Sequence, residues 1–335
     1  MSDKSEKKRL AVLKILQNSG RCVSSSEITR QLQAMGLEIS GRTTRLYLLE
    51  LDQEGLSQNH GKRGRTITPK GRHELSAVNV YDKVGFMAAK IDQLTFNMTF
   101  NLEQKSGWVV VNISMLPLGK ITQSAKLIKK VFAAGYAMGK LLTVVEPGGR
   151  IGDQVVPEDC VGIGTVCSVT LNGVLLAHGI PTTSRFGGLL ELQNGQPRRF
   201  VELISYEGTT IDPLEIFIRT GMTDYIGATQ NGNGRIGVGF REIPADSRNR
   251  VSELAEKLQQ VGLGGFLTIG WPGQPLLDVP VPEGRVGAIV IGGLNPMAIL
   301  EEHGIATASR AMASLIDYSR LFPFQELESR IKRFA

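Results

Sequence analysis

Cysteine is scarce in this chain. Three thiols in 335 residues, Cys22, Cys160 and Cys167, are too few and too scattered for a disulfide framework, and none forms a C-x-x-C pair. They read as small buried side chains in a reducing compartment. Histidine is nearly as rare, with residues at 60, 73, 178 and 303 and no His/Cys cluster at zinc spacing, so no metal site is expected. No apolar run approaches the roughly 20 residues that cross a bilayer. The opening MSDKSEKKRL has charge but no apolar core of a secretory signal, which predicts a cytoplasmic protein with no membrane partner. Catalytic constellations are missing as well. No GxxxxGK[ST] phosphate loop occurs, and no paired carboxylates flank a base. Ser184 or Cys167 would need activation by His178 with no third group to orient it. Neither an enzyme nor a resident cofactor is expected.

What is present is a surplus of positive charge in one place. The net charge is +6, and residues 1–78 hold 14 Lys+Arg against 8 Asp+Glu, while the remainder holds 24 of each. A polyanion-binding module joined to a neutral body follows from that asymmetry.

Within the basic quarter, EKKRLAVLKILQNSG predicts a first helix with Leu10, Leu13 and Ile15/Leu16 on one face and Gly20 at its end. Ser24 stands three residues before Glu27, a capping-box spacing that starts a second helix ending at Gly36. Ser40 is the expected N-cap of a third, in which Thr44, Tyr47/Leu48 and Leu51 form the inward stripe. Ser40, Arg42, Thr43 and Arg45 are left at the outer N-terminal end, where hydroxyls and guanidiniums suit phosphate oxygens or base edges. Lys62, Arg63 and Arg65 sit in a glycine-bounded tip between two short extended segments, a basic hairpin that can reach a DNA backbone. Pro69 near the start of TPKGRHEL opens a closing helix. Three helices followed by a basic hairpin resemble a winged helix-turn-helix domain, and DNA is the expected partner.

The neutral body is written twice. GWVVVNISMLP at 107–117 matches GRIGVGFREIP at 234–244, LLTVVEPGG at 141–149 matches FLTIGWPGQ at 266–274, and VPEDCVG at 156–162 matches VPEGRVG at 281–287. IDQLTF at 91–96 also matches IDPLEI at 211–216. The expected class is α+β or mixed α/β: a winged helix over 1–78, then two homologous tandem repeats over 79–205 and 206–335. In the first repeat the alternation of Phe96, Met98, Phe100 and Leu102 predicts an antiparallel hairpin with WVVVNISML. TQSAKLIKKVFAAGYAMG and DSRNRVSELAEKLQQVGLGG predict cognate amphipathic helices.

Each repeat carries a near-copy of one octapeptide, HGIPTTSR at 178–185 and HGIATASR at 303–310. His-Gly-Ile predicts a helix stop, with glycine left-handed and isoleucine covering the last turn. Thr-x-Ser-Arg has two readings: a carboxylate cradle of hydroxyls and a guanidinium, or an arginine that braces the fold. Only the first copy is preceded by the hydroxyl-rich TVCSVTLN, so a ligand site is expected there alone.

Winged helix, GTVCSVTLNGVLLAHGIPTTSRFGG and NPMAILEEHGIATASR together resemble the NrpR nitrogen-regulatory repressors over essentially the whole chain. The resemblance implies a homodimer that binds palindromic operators of nitrogen-metabolism genes and is released by 2-oxoglutarate. It implies effector contacts among Thr165, Cys167, Ser168, Thr170, Asn172, Ser184 and Arg185, and a second repeat that serves effector binding or dimerisation. A winged-helix regulator of another small carboxylate and an enzyme with a basic targeting domain remain as alternatives.

Overall fold

Two serines begin helices in the basic part of the chain. Ser24 Oγ accepts from the Glu27 amide and Ser40 Oγ from the Thr43 amide, both at 3.2 Å, and each satisfies a donor that a first turn leaves unpaired. The computed structural model describes residues 3–78, 85–152 and 154–334. It divides into two compact units, Met1–Val84 and Gly85–Ala335. The expected domain boundary at 78/79 borders residues 79–84, which lie outside the described residues.

The first unit runs α1 (Asp3–Ser19), α2 (Ser25–Ala34) and α3 (Gly41–Gln53), then β1 (Ser57–Asn59) and β2 (Arg65–Ile67), then α4 (Pro69–Val78). β1 and β2 pair antiparallel around a tight turn at Gly61–Arg63, which makes the wing. Thr44, Leu48 and Leu51 of α3 are buried against Val12, Leu13, Ile15 and Leu16 of α1 and Ile28 and Leu32 of α2. Burial of that stripe, about 1.5–3 kcal/mol per large aliphatic side chain, holds the three helices together.

The second unit opens with α5 (Phe86–Asn97), which corrects the expected hairpin. Met87 and Ile91 are buried and Leu94 partly so, a helical stripe that outweighs the period-two alternation downstream; Phe96 is 80% exposed. There follow β3 (Trp108–Pro117), α6 (Ile121–Ala133), β4 (Leu141–Val145), the short β5 (Arg150–Ile151) and β6 (Gln154–Val155), and β7 (Cys160–Val166). α7 (Val169–Ala177), β8 (Thr183–Gln193) and β9 (Gln196–Ser205) complete the first repeat. The second repeat runs α8 (Pro213–Arg219), α9 (Tyr225–Asn231), β10 (Gly234–Pro244), α10 (Arg248–Gln260) and β11 (Phe266–Ile269). It continues through β12 (Arg285–Ile291), α11 (Asn295–Glu302), β13 (Ala308–Asp317), β14 (Phe322–Pro323) and α12 (Leu327–Ile331). No helix among the described residues is long and apolar enough to cross a membrane.

Apart from the β5–β6 pair, these strands form two five-stranded antiparallel sheets, in the orders β13-β3-β7-β4-β14 and β11-β12-β10-β8-β9. In the sequence alignment of the copies, β3, β7 and β4 correspond to β10, β12 and β11. β8 corresponds to β13, yet each lies in the other copy's sheet. β8 of the first repeat pairs with β10 of the second, from Gly234↔Leu192 to Glu242↔Thr183. β13 of the second pairs with β3 of the first, from Ala308↔Met115 to Asp317↔Trp108. The boundary at 205/206 therefore divides the sequence copies, and both sheets draw strands from either side of it.

The helix stop before each exchanged strand is the expected one. Ile180 N donates to Leu175 O and Gly179 N to Leu176 O, both at 2.9 Å, with Gly179 at φ +76°. Ile305, Gly304, Leu300 and Glu301 repeat the arrangement at the same distances, with Gly304 at φ +69°. His178 Nδ1 lies 2.8 Å from Val174 O and His303 Nδ1 2.7 Å from Ile299 O, so each imidazole is bound to its own helix.

The exchange generates a prediction. Segments 85–205 and 206–334 expressed separately will show no cooperative melt, because the first lacks the strand that covers β3 and the second lacks the interior strand β8; mixing them will restore one. Circular dichroism melts check this, and a cooperative transition in either segment alone contradicts it.

Candidate effector site and nucleic-acid interface

α3 turns its outer face to solvent through Arg42 and Arg45, both exposed, and the wing turn presents exposed Lys62 and Arg63. Arg45 Nε donates to Gly41 O at 3.1 Å, which steadies the stem while the terminal nitrogens project. Ser40 and Thr43 act on the helix itself: their hydroxyls lie 2.9 Å apart at its first turn. Arg65 differs from its neighbours. Its Nε donates to Asp52 Oδ2 at 2.8 Å and its side chain is only 13% exposed, so it joins the wing to α3. The groups placed to meet a polyanion are thus Arg42, Arg45, Lys62 and Arg63, on one helix N-terminus and one turn.

In the second unit the hydroxyl-rich segment divides by function. Thr165 Oγ1 donates to Gly293 O at 2.7 Å, and Thr170 Oγ1 lies 3.1 Å from both the amide and the carbonyl of Val110. These two tie backbone to backbone in the interior. Ser168, Asn172 and Ser184 instead converge on a residue that the sequence analysis did not single out, Arg241 of β10. Arg241 donates from Nε to Asn172 Oδ1 at 3.1 Å and from Nη2 to Ser168 Oγ at 3.2 Å. Asn172 Nδ2 donates onward to Ser184 Oγ at 2.9 Å. Tyr206 lies alongside, its ring centroid 5.6 Å from the guanidinium carbon.

Arg185 is outside this group. Successive strand residues face opposite sides of a sheet, so Ser184 faces Arg241 while Arg185 faces Glu242 and forms an ion pair with it. Of the two readings of Thr-x-Ser-Arg, this ion pair is what the brace reading expects of the first copy's arginine. The signal that could have found Arg241 was an Arg-Glu pair inside the apolar IGVGFREIP, standing where the first copy has Ser114-Met115.

Electrostatics around the cluster reflect burial. The Cys167 thiol is 6% exposed, and burial pushes its pKa up to about 12, so it stays protonated and is no nucleophile. Burial likewise raises the Tyr206 phenol and lifts the Asp212 carboxyl from 3.8 to about 6. Among the described residues no group of three or more His, Cys, Asp or Glu could hold a metal ion. A wide cleft of about 710 Å³ lies elsewhere, where Glu191, Arg198, Arg199, Asp224, Arg235 and Asp278 meet. Its charges balance and Glu191 already holds Arg199 at 2.8 Å, whereas among the described residues Arg241 is buried without an ion-pair partner, which makes its cluster the candidate site. Gly232, Gly234 and Gly237 do spell G-x-G-x-x-G, but they lead from α9 into β10, the reverse of the strand-to-helix order that cradles phosphates.

Comparison with known proteins follows the same division. A family model described as NrpR regulatory domains NRD1 and 2 matches residues 84–323, and one for the ribonuclease R winged-helix domain matches residues 10–75. The chain is 33% identical to a global nitrogen regulator NrpRI of Methanosarcina mazei, over 96% of this chain and 99% of that one. It is 28% identical to the global nitrogen regulator NrpR of Methanococcus maripaludis, over 92% of this chain and 54% of that one, so it spans about half of that longer relative. A crystal structure of a nitrogen repressor-like protein from Methanococcus jannaschii matches with a TM-score of 0.61 at 25% identity, over 71% of this chain and 98% of that one.

Asp212 provides a pH test of the cluster. A carboxyl whose pKa is higher in the folded protein than in the unfolded chain binds more protons when folded. Its contribution to stability is therefore greatest below about pH 4 and is lost as pH rises to about 6. Asp212→Asn keeps the cap on the Leu214 amide and removes that loss, so its stability relative to wild type should rise by up to about 3 kcal/mol from pH 4 to 7. Urea midpoints across that range measure the gap; a variant destabilised at neutral pH would instead make Asp212 a needed counter-ion.

Proposed function

The chain belongs to the family of proteins with NrpR regulatory domains, and on that premise we propose that it is a transcriptional repressor of nitrogen-metabolism genes, released from operator DNA by 2-oxoglutarate. The observation that carries the DNA-binding half is the charge distribution: the whole surplus of +6 lies in the winged-helix quarter, with Arg42, Arg45, Lys62 and Arg63 exposed on its reading helix and wing. Phosphate contacts from the wing would set register, and α3 would read base edges in the major groove. Two such units in a homodimer would meet the half-sites of a palindrome.

The effector half is supported by the Arg241–Ser168–Asn172–Ser184 cluster. A guanidinium, two hydroxyls and an amide suit a small carboxylate and offer no general base or nucleophile to transform it. Release follows as a coupling between sites: effector favours a body conformation in which the two winged helices no longer match the half-site spacing. Couplings of this kind are typically about 1–3 kcal/mol, roughly 5- to 150-fold in affinity. The setting is the cytoplasm, where both the metabolite and the operator are found.

Operator selected from random DNA and read by fluorescence anisotropy tests both halves. Millimolar 2-oxoglutarate should weaken binding at least about fivefold and give heat on titration into the free protein; no change and no heat contradict the proposal. The Arg42→Ala, Arg45→Ala double variant should lose at least about 30-fold in operator affinity with its 2-oxoglutarate titration unaltered.

A further inference from the structure

Arg241 is 2% exposed, and among the described residues its hydrogen bonds are to neutral groups: Asn172 Oδ1, Ser168 Oγ, at 3.3 Å Phe240 O, and the Tyr206 hydroxyl. A guanidinium has five N–H donors and keeps its charge when buried, so with four neutral partners one donor remains. Among the described residues no carboxylate forms an ion pair with it. Glu242 faces the other side of the sheet and is held by Arg185. Asp212, whose field reaches Arg241, accepts from the Leu214 amide at 2.9 Å as the cap of α8. Lys90 adds a second positive charge, since its field and that of Arg241 both act on Cys167, and among the described residues its ammonium donates to a carbonyl, Ala311 O at 3.4 Å. An unpaired buried charge costs several kcal/mol, so a fold that needed only a brace here would be better served by a neutral side chain.

The second occurrence of the same position shows that the fold does not require the arginine. In the alignment Ser114 replaces Arg241 and Asn112 replaces Gly239. There Ser114 bonds Ser309 at 2.7 Å, and Asn112 Oδ1 accepts from the Met312 amide at 3.0 Å, with no charge involved. At Gly239 a Cβ would stand 2.7 Å from Arg241 Nη1, so the missing side chain is what makes room for the guanidinium. From Arg241 the polar chain runs outward through Asn172 to half-buried Ser184, two residues beyond Thr182, whose buried Oγ1 has no partner.

We infer that Arg241 receives a carboxylate of the effector, so that a site built by side chains of α7 and β8 of the first repeat is completed by an arginine from the second, once per chain. This rests on the effector reading above. The ligand supplies the missing counter-charge and takes the spare donor, and it bridges Ser168 and Asn172 of one repeat to β10 of the other.

The test uses full-length protein and two variants, Arg241→Met and Arg241→Lys, with a thermal melt without ligand and calorimetric titration of 2-oxoglutarate for each. Removing an unpaired buried charge predicts a ligand-free Tm for Arg241→Met equal to or above wild type, with affinity about 30-fold or more weaker. Arg241→Lys keeps the charge without the planar fork and should lose about tenfold at unchanged Tm; it carries the test alone if the Met variant does not fold. Wild-type affinity in either folded variant overturns the inference and leaves the effector reading standing. If wild type ignores 2-oxoglutarate but binds another dicarboxylate that Arg241→Met cannot, the effector's identity falls and Arg241 keeps its role. Wild type that binds no small carboxylate overturns both.

Discussion

The antiparallel pairings of β8 with β10 and β13 with β3 are what the rest of the body depends on. Each joins a strand from one repeat to the interior of a sheet founded by the other. Without them β3 and β10 would each present an open edge, β13 after the His303 stop would have nothing to pair, and β8 after the His178 stop would keep β9 alone. The exchange makes two copies of one motif a single cooperative body. It also brings residues about 70 positions apart, such as Asn172 and Arg241, into hydrogen-bonding distance.

A duplicated fold offers two equivalent positions at the exchanged pairs, and the chain treats them differently. In one, Ser309 faces Ser114 across the register and a neutral hydrogen bond closes the contact. In the other, Ser184 faces Arg241 and the contact is left with a spare donor and positive charge. Neutral and saturated is a structural solution; charged and incomplete is a receptive one. A single effector per chain entering at the seam would act on both repeats at once.

Local features were legible in the sequence. The capping serines Ser24 and Ser40, the Thr44–Leu48–Leu51 stripe and the two His-Gly-Ile stops depend on contacts within a few residues, and the structure has them all. The hairpin expected at 94–117 failed because four alternating apolar residues imitate a strand, while Met87 and Ile91 upstream commit the segment to a helix. The strand exchange was not legible, since two copies of one pattern specify the pairing surfaces equally well and say nothing about which copy supplies the partner. Arg241 was hidden for the same reason. Ser168, Asn172 and Ser184 were on the page as a cluster, but the arginine beside them was Arg185 in sequence and Arg241 in space.

Hydrogen exchange of the full chain with and without saturating 2-oxoglutarate tests this account most directly. Effector should slow exchange in 166–173 and 183–187 of the first repeat and in 238–243 of the second at the same ligand concentration, with β13 and β3 around Ser309 and Ser114 changing less. Protection confined to one repeat, or centred on the cleft at Arg198 and Arg235, would contradict it.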